Sequence, residues 1–188
     1  MAMRGQNKIA KLTRQNIIDA FWDIYSKKKI ENITVKEVMD RAGYNRSTFY
    51  LYFEDIYDIL NQIEEGLLPL ADIHINDETD FFTQENIRLL ANEFINQEKY
   101  FVVLFGKNGD PRFVNKFKNR MRESIMKCIK KNEETAYLIE AVLSMNFDLL
   151  VYWFTQNRDI RLDRLLTILP QLNSIGPLTY LKQHYNCK

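Results

Sequence analysis

Residues 34–53 carry the sequence TVKEVMDRAGYNRSTFYLYF, which predicts two short helices joined by a turn at Gly43. Thr34 and Glu37 have the spacing of a capping box, in which the Thr hydroxyl accepts from an amide of the first helical turn. Glycine adopts positive φ readily, as a tight turn between helices requires. A bracing helix followed by a polar second helix is the layout of a helix-turn-helix. The stretch therefore predicts that motif.

The second helix of the pair has one apolar face and several polar groups. Phe49 and Phe53 are four residues apart and should pack inward. Several of the remaining side chains must then project outward: Arg46, Ser47, Thr48, Tyr50 and Tyr52. A small amphipathic helix with a polar surface is the alternative interpretation. The capping box, the glycine turn and the basic charge nearby favour DNA reading.

These outward residue types suit contacts with DNA. The Arg46 guanidinium can bond guanine O6 and N7 together or clamp a phosphate. Thr48 offers a methyl group for thymine and a hydroxyl for a base edge or a phosphate, and tyrosine hydroxyls can reach phosphates.

Charge is distributed unevenly although the net charge is only +1. Residues 1–52 contain ten Lys or Arg and five Asp or Glu, whereas the remainder contains sixteen and twenty. A basic N-terminal segment on a mildly acidic body fits a DNA-contacting end on a scaffold that does not touch DNA. The composition, 46% hydrophobic and 27% charged with 4 Pro and 6 Gly, is that of an ordinary soluble globular protein and disfavours a β-sandwich.

Helical periodicity extends over the rest of the chain and predicts an all-α fold. A first helix is predicted over residues 14–28 with Thr13 as N-cap and an apolar face of Ile17, Phe21, Ile24 and Tyr25. Asn45 and Asp55 are predicted to cap helices that run to about Tyr52 and Leu67. Further helices are predicted over 83–96, 98–105, 111–131 (N-cap Asp110), 133–156 and from residue 162, where Pro170 kinks or ends the helix and Gly176-Pro177 stops it.

Aromatic residues of the C-terminal region allow two interpretations. Either they line a pocket for a flat or apolar small molecule, or they fill a hydrophobic core. The residues concerned are Phe94, Phe101, Phe105, Phe117, Tyr137 and Phe147.

Two adjacent helices near the C-terminus suggest self-association. The second half of the helix over 133–156 is apolar almost all round and must be covered on both sides, and the last helix has a leucine stripe. We predict a dimer interface built as an intermolecular bundle, with an intramolecular core as the alternative. The predicted interface residues are Leu149, Tyr152, Trp153, Leu162, Leu165 and Leu169.

The chain has no pattern typical of an enzyme, a metal site or a membrane protein. Cys128 and Cys187 lack metal-binding spacing, and His74 and His184 are isolated. No catalytic constellation of Ser, His and Asp, no paired carboxylates and no phosphate loop occur. The first residues lack the apolar region of a secretory signal, and the apolar stretch 141–154 is too short to span a bilayer. We therefore expect no catalysis, metal, cofactor or membrane, and a cytoplasmic location.

The motif resembles a known family. Thr34-Val-x-Glu-Val, Arg41-Ala-Gly-Tyr and Ser47-Thr-Phe-Tyr-x-Tyr-Phe, followed by Asp55 and Leu60, resemble the N-terminal helix-turn-helix of TetR-family transcriptional regulators. The likeness covers residues 13 to about 63. It implies about nine helices, of which three bind DNA and the rest bind an effector and dimerise. It also implies a homodimer on a palindromic double-stranded operator, usually for repression, with an unknown small molecule or protein as effector.

This resemblance implies a division of the chain and roles for its residues. Residues 1–55 would form the DNA-binding domain and residues 56–188 the effector-binding and dimerisation domain. The weak sequence pattern of residues 69–80 separately predicts a joint between two domains. A basic arm of Arg4, Lys8 and Lys11 would reach the minor groove or be disordered. The implied DNA contacts are Arg14, Thr34, Lys36, Arg46, Ser47, Thr48, Tyr50, Tyr52 and Tyr57.

One feature departs from the family pattern. Family members commonly carry a lysine near the start of the fourth helix, but this chain has Glu54 and Asp55 there. Tyr57 can replace a phosphate contact through its hydroxyl, and amides at a helix N-terminus attract anions. The carboxylates should still weaken nonspecific affinity. A second function is therefore kept open, a protein-interaction adaptor or co-activator on the same fold with weak or no autonomous DNA binding.

Replacement of Glu54 by Lys tests this effect. Because one more cation near the backbone releases one more counterion, the slope of log affinity against log salt should steepen by about one. The measurement is operator binding across a salt series, and an unchanged slope would contradict the prediction.

Overall fold

The structure is a computed structural model that describes residues 2–72, 92–129, 132–156 and 158–184. The described residues are helical, with no strand among them, which confirms the predicted all-α fold. The chain divides into two compact units, residues 1–67 and 68–188. The division falls after Leu67, further along the chain than the predicted boundary between residues 55 and 56. Most of the predicted joint over 69–80 lies outside the described residues.

The first unit contains four helices. They are α1 (Ala2–Tyr25), α2 (Val35–Ala42), α3 (Arg46–Phe49) and α4 (Ile56–Leu67), with a 3₁₀ turn at Ile30–Asn32. The prediction that α1 begins after Thr13 is wrong, because residues 2–12 contain no proline to break the helix. Helix α1 ends at Tyr25, three residues before the predicted end at residue 28, so the lysines at 27–29 lie beyond it.

The core of the first unit contains the apolar residues that periodicity predicted. On α1, Ile17, Phe21 and Tyr25 are almost fully buried, and the rings of Phe21 and Tyr25 stack with centroids 5.5 Å apart. Buried residues of the other helices complete it: Val38, Met39, Phe49, Phe53, Ile56, Ile59, Leu60 and Ile63. Burial of these side chains from water supplies the main stabilisation.

Two ion pairs connect the end of α1 with α2. Lys28 Nζ lies 2.6 Å from Glu37 Oε2, and Arg41 donates to Asp23. The hydrogen bond from Arg41 and its positive charge lower the pKa of Asp23. Both pairs are solvent-accessible, so each contributes at most about 1 kcal/mol to the stability of the unit.

The second unit begins with a 3₁₀ turn at Leu68–Ala71 and continues as a set of helices. Residues 92–96 are helical, and the rest of the predicted helix over 83–96 lies outside the described residues. The helices that follow are α5 (Glu98–Leu104), α6 (Pro111–Cys128), α7 (Thr135–Thr155), α8 (Leu162–Ile175) and α9 (Pro177–His184).

Predicted helix ends in the second unit are largely confirmed. Asp110 caps α6 by accepting from the Arg112 amide at 2.8 Å, with Pro111 at the first helical position. Pro170 does not end α8, which continues to Ile175 before Gly176 stops it at φ 79°. The sequence analysis missed α9, although Pro177 begins it and proline is favoured at that position.

Polar contacts join the helices of the second unit. Lys118 on α6 donates to Glu140 at 2.5 Å and to Ser144 at 2.7 Å, and both partners lie on α7. Hydrogen bonds from Lys118, the largest cause, and from Ser144 and Arg122 lower the pKa of Glu140 to about 2. Asn146 of α7 and Asn173 of α8 exchange amide hydrogen bonds of 2.9 and 3.2 Å. These contacts fix how α6, α7 and α8 lie beside one another.

Helix α7 is longer than the apolar stretch identified in the sequence. It has 21 residues, its most apolar 18-residue stretch has a mean hydropathy of 1.3, and by length and composition alone it could cross a membrane. The apolar stretch 141–154 is only part of this helix, which residues 135–140 extend at its N-terminal end. A core helix of a soluble protein meets the same criteria, so the finding assigns no membrane location.

Substitution of Gly43 by Ala should destabilise the first unit by roughly 1–2 kcal/mol, because Gly43 adopts φ 76° in the left-handed region. A Cβ at this position would meet no atom within 4 Å, so the cost is conformational. Gly66→Ala is the matched control. A Cβ there also meets nothing, but the residue is in regular helix, and a gain of about 0.5–1 kcal/mol is expected. Chemical denaturation of both variants measures the difference, and changes of the same sign would contradict the argument.

Candidate nucleic-acid interface

The start of α2 confirms the predicted cap. Thr34 is its N-cap, and the Thr34 hydroxyl accepts from the Glu37 amide at 3.2 Å. The Glu37 carboxylate accepts from Lys28, which lies before the 3₁₀ turn at Ile30–Asn32. The Thr34 hydroxyl keeps its own proton as a donor, and Thr34 and Lys36 are both exposed.

The turn between α2 and α3 has the conformation that the sequence predicted. Gly43 is left-handed, and the amides of Gly43 and Tyr44 both donate to the Met39 carbonyl at 3.0 and 3.1 Å. The Tyr44 hydroxyl accepts from Asn16 of α1 at 2.9 Å, which ties the turn to the unit. Asn45 is at the N-cap position of α3 but makes no side-chain capping bond, so the prediction that it caps α3 by its side chain is wrong.

Two phenylalanines anchor α3. Phe49 is fully buried and Phe53 nearly so, with ring centroids 5.6 Å apart. Regular helix ends at Phe49 and not at about Tyr52 as predicted, because residues 50–52 form a turn with a bond from the Tyr52 amide to the Phe49 carbonyl of 3.0 Å. The outward side chains are therefore divided between a very short helix and the turn after it.

The predicted base-reading residues lie together on α3 and in this turn. Arg46 and Ser47 are exposed, Tyr50 is 51% exposed, and Thr48 and Tyr52 are half-buried. Arg46 donates to the Tyr50 hydroxyl from Nη2 at 3.0 Å and from Nε at 3.3 Å. Its guanidinium also lies 5.8 Å from the centre of the Tyr50 ring. Because the Tyr50 oxygen accepts from Arg46, its own proton can be donated to another acceptor such as phosphate.

Leu51 was missed in the sequence analysis. Its side chain is 77% exposed beside Tyr50. The signal was available, because Ser47 and Leu51 are four residues apart and would share a helical face. An exposed apolar group here can contact the methyl group of thymine.

Other predicted contacts differ in accessibility. Tyr57, in the first turn of α4, is 52% exposed. Arg14 is half-buried, lies 5.5 Å from the centre of the Phe53 ring and donates to Gln62. The predicted basic arm is part of helix α1, on which Lys8 and Lys11 have exposed side chains.

Carboxylates of nearby residues accept hydrogen bonds from the backbone amides at the N-terminus of α4. Asp55 Oδ1 accepts from the Asp58 amide at 2.8 Å, which confirms its predicted capping role. Asp58 Oδ2 in turn accepts from the Glu54 amide at 3.0 Å. Three acidic residues at this helix end make it a poorer anion site than an uncapped helix N-terminus.

The predicted pocket residues of the second unit pack mainly on one another. Phe94 and Phe101 stack with centroids 4.2 Å apart, and Phe117 and Phe147 lie 6.1 Å apart. Phe105 contacts both Phe101 and Phe147, at 5.5 and 6.1 Å. Phe113 and Phe154, which the sequence analysis omitted, extend the cluster. Tyr137 is apart from the cluster, with a side chain that is 79% exposed.

The predicted dimer residues are divided between core and surface. Trp153, Leu165 and Leu169 are buried together within the chain, and Leu149 and Leu162 pack against them. The indole of Trp153 also donates to the Ile160 carbonyl at 2.7 Å. Tyr152, in contrast, is 60% exposed. The predicted apolar stripe is present. Much of it packs in the intramolecular core, which was the alternative to a dimer interface.

Comparisons with known proteins agree with this fold and site. Residues 17–63 match the family model described as "Bacterial regulatory proteins, tetR family". The HTH-type dhaKLM operon transcriptional activator DhaS of Lactococcus lactis subsp. lactis (strain IL1403) is 27% identical over 125 residues, which span 65% of this chain and 65% of that relative's length.

Solved structures extend the likeness of fold over most of the chain. A TetR transcriptional regulator from Streptococcus agalactiae 2603V has a TM-score of 0.68 at 21% identity, covering 92% of this chain and 99% of that one. A structure of the dihydroxyacetone kinase operon activator DhaS has a TM-score of 0.56 at 18% identity, covering 91% and 97%. At these identities the likeness shows a shared fold.

The fold and the site together show a helix-turn-helix unit at the N-terminal end of an all-helical chain. Residues 17–63 carry the signature of bacterial regulatory proteins of the tetR family. The resemblance identified from residues 34–53 is thereby confirmed.

Proposed function

We propose that this chain is a cytoplasmic transcriptional regulator that binds a palindromic double-stranded operator as a homodimer and responds to an effector. One observation carries the DNA-binding part. Arg46, Ser47 and Tyr50 are exposed side by side while Phe49 and Phe53 hold the same segment in the core. An anchored segment with an outward guanidinium and hydroxyls is suited to the major groove.

Arg46 is the proposed base-reading residue. Its two bonds to Tyr50 restrict the rotamers of a long side chain, so less conformational entropy is lost when it meets a base. Tyr50 then donates its remaining proton to a phosphate. Ser47 and Thr48 supply shorter hydroxyl contacts from the same face.

Phosphate contacts on either side of α3 would fix its depth in the groove. Thr34 and Lys36 provide donors at the start of α2, and Tyr52 and Tyr57 provide hydroxyls beyond α3. Arg14 retains further N–H groups after donating to Gln62, since a guanidinium has five.

The proposed dimer rests on α7. Only 22% of the most apolar 18-residue stretch of α7 is buried within the chain, although the mean hydropathy of that stretch is 1.3. An apolar helix left this open gains stability when a second copy covers it. Tyr152, with the accessible edges of Leu149 and Leu162, is the part of the predicted interface that a partner would meet.

The aromatic cluster of the second unit would have to open for an apolar effector to enter. Its rings are those of Phe94, Phe101, Phe105, Phe117 and Phe147. Repression follows from the family resemblance, whereas the relative DhaS is named as an activator. A promoter–reporter assay with and without the gene for this chain determines the direction from the change in reporter level.

A second candidate is the adaptor without autonomous DNA binding. The observation in its favour is the acidic N-terminus of α4, where Glu54, Asp55 and Asp58 lie close to the proposed DNA face. Such an adaptor would bind no selected DNA alone and would be recovered with a protein partner.

Selection of bound duplexes from a random DNA pool tests the function. We expect a palindrome with half-sites one helical turn, about 10 bp, or a multiple of it apart. Arg46→Ala should relax the preference at one guanine of each half-site by about tenfold or more. Lys107→Glu, at an exposed position of the second unit, is the control and should leave the consensus unchanged. Absence of any enriched sequence would favour the adaptor.

Replacement of Tyr152 by Arg tests the dimer. A charge placed in an apolar interface should shift the protein to monomer in sedimentation equilibrium and lower operator affinity, since only one half-site is then bound. The circular dichroism of the variant should stay helical, because Tyr152 is exposed within the protomer. A variant that remains dimeric would exclude this face of α7.

A further inference from the structure

The backbone of the turn after α3 needs stabilising contacts from outside the helix. Helix α3 has four residues, too few to be stable by its own hydrogen bonds, and Tyr50 to Tyr52 lie in the turn beyond it. Phe49 and Phe53 anchor the ends of this turn by burial. Burial is non-directional and does not by itself fix the backbone of the residues between them.

Gln62 of α4 makes directional contacts with this turn. Its Nε2 donates to the Tyr52 carbonyl at 3.4 Å and to Asp58 Oδ2 at 3.1 Å. Its Oε1 accepts from Arg14 Nη2 of α1 at 2.5 Å. One half-buried amide thus joins α1, the turn after α3 and the first turns of α4.

The partners of Gln62 extend the connection. Asp58 Oδ2, which accepts from Gln62, also accepts from the Glu54 amide at 3.0 Å. Arg14, which donates to Gln62, lies over the Phe53 ring at 5.5 Å. The backbone on both sides of Phe53 is therefore held by Gln62, which bonds the Tyr52 carbonyl, and by its partner Asp58, which bonds the Glu54 amide.

We propose that Gln62 is a positioning residue for DNA recognition, which fixes the turn carrying Tyr50 and Tyr52 without touching DNA. The inference rests on the proposed DNA-binding function. In sequence, Gln62 is an unremarkable polar residue of an amphipathic helix, and only its three contacts distinguish it.

Two substitutions separate its contacts. Gln62→Met keeps the side-chain length and removes all three hydrogen bonds. Gln62→Glu keeps an acceptor for Arg14 but loses both donors and places a carboxylate beside Asp58. Asn61→Leu, at the exposed neighbouring position of α4, is the matched control.

Hydrogen exchange by mass spectrometry gives a readout that needs no DNA. Peptides covering residues 50–58 should exchange faster in both Gln62 variants, whereas peptides covering α2 and the whole of the Asn61→Leu protein should match the wild type. Unchanged exchange over 50–58, or an equal increase throughout residues 1–67, would overturn the proposal, since the latter means a general loss of stability.

Binding to the duplex selected by the wild-type protein gives the second readout. Both Gln62 variants should bind about tenfold more weakly, the loss expected for one or two hydrogen bonds. For Gln62→Met, which leaves the net charge unchanged, the slope of log affinity against log salt should not change, because no cationic phosphate contact is removed. A slope shallower by about one, or wild-type affinity, would overturn the positioning role. If the wild-type protein selects no DNA, the proposed function fails and the exchange data alone decide whether Gln62 fixes the turn.

Discussion

The burial of Phe49 and Phe53 is the constraint on which the DNA-binding unit depends. A helix of four residues forms too few internal hydrogen bonds to offset the entropy of ordering its backbone. The two rings bring that segment against α1, α2 and α4, where tertiary packing replaces the missing helical stability. Ion pairs such as Lys28–Glu37 and Arg41–Asp23 contribute far less because they are solvent-accessible. Packing therefore decides the position of the recognition segment.

Inward anchoring also determines what faces outward. With Phe49 and Phe53 committed to the core, the helical geometry leaves Arg46, Ser47 and Tyr50 accessible on the other side. The same short segment is thus apolar where it meets the protein and polar where it would meet DNA. Specificity can then vary through the outward residues with little effect on folding, because the outward side chains make few core contacts.

The sequence contained enough to place the motif but not every contact. Capping by Thr34 and Asp55, the glycine at 43 and the two phenylalanine anchors follow from local rules, and all were predicted. The start of α1 at Ala2 was missed because the residues before Thr13 show little apolar periodicity. Gln62 was missed because its partners come from three separate segments, which periodicity within one helix does not reveal. Trp153, Leu165 and Leu169 were assigned to an interface because a stripe of apolar residues looks the same whether its partner is the same chain or another.

The phenylalanine cluster sets a condition on any effector response. Five of the six predicted pocket residues touch one another at centroid separations from 4.2 to 6.5 Å, so a ligand seated among them must separate rings already in contact. Lost ring contacts must be replaced by contacts with the ligand, and close-packed interiors rearrange between discrete states rather than stretch. The rings belong to residues 92–96, to α5 and the residue that follows it, and to α6 and α7. The ion pairs of Glu140 and the Asn146–Asn173 pair hold α6, α7 and α8 together. A ligand that opened the cluster would therefore shift whole helices, including the helix that the proposed dimer interface uses.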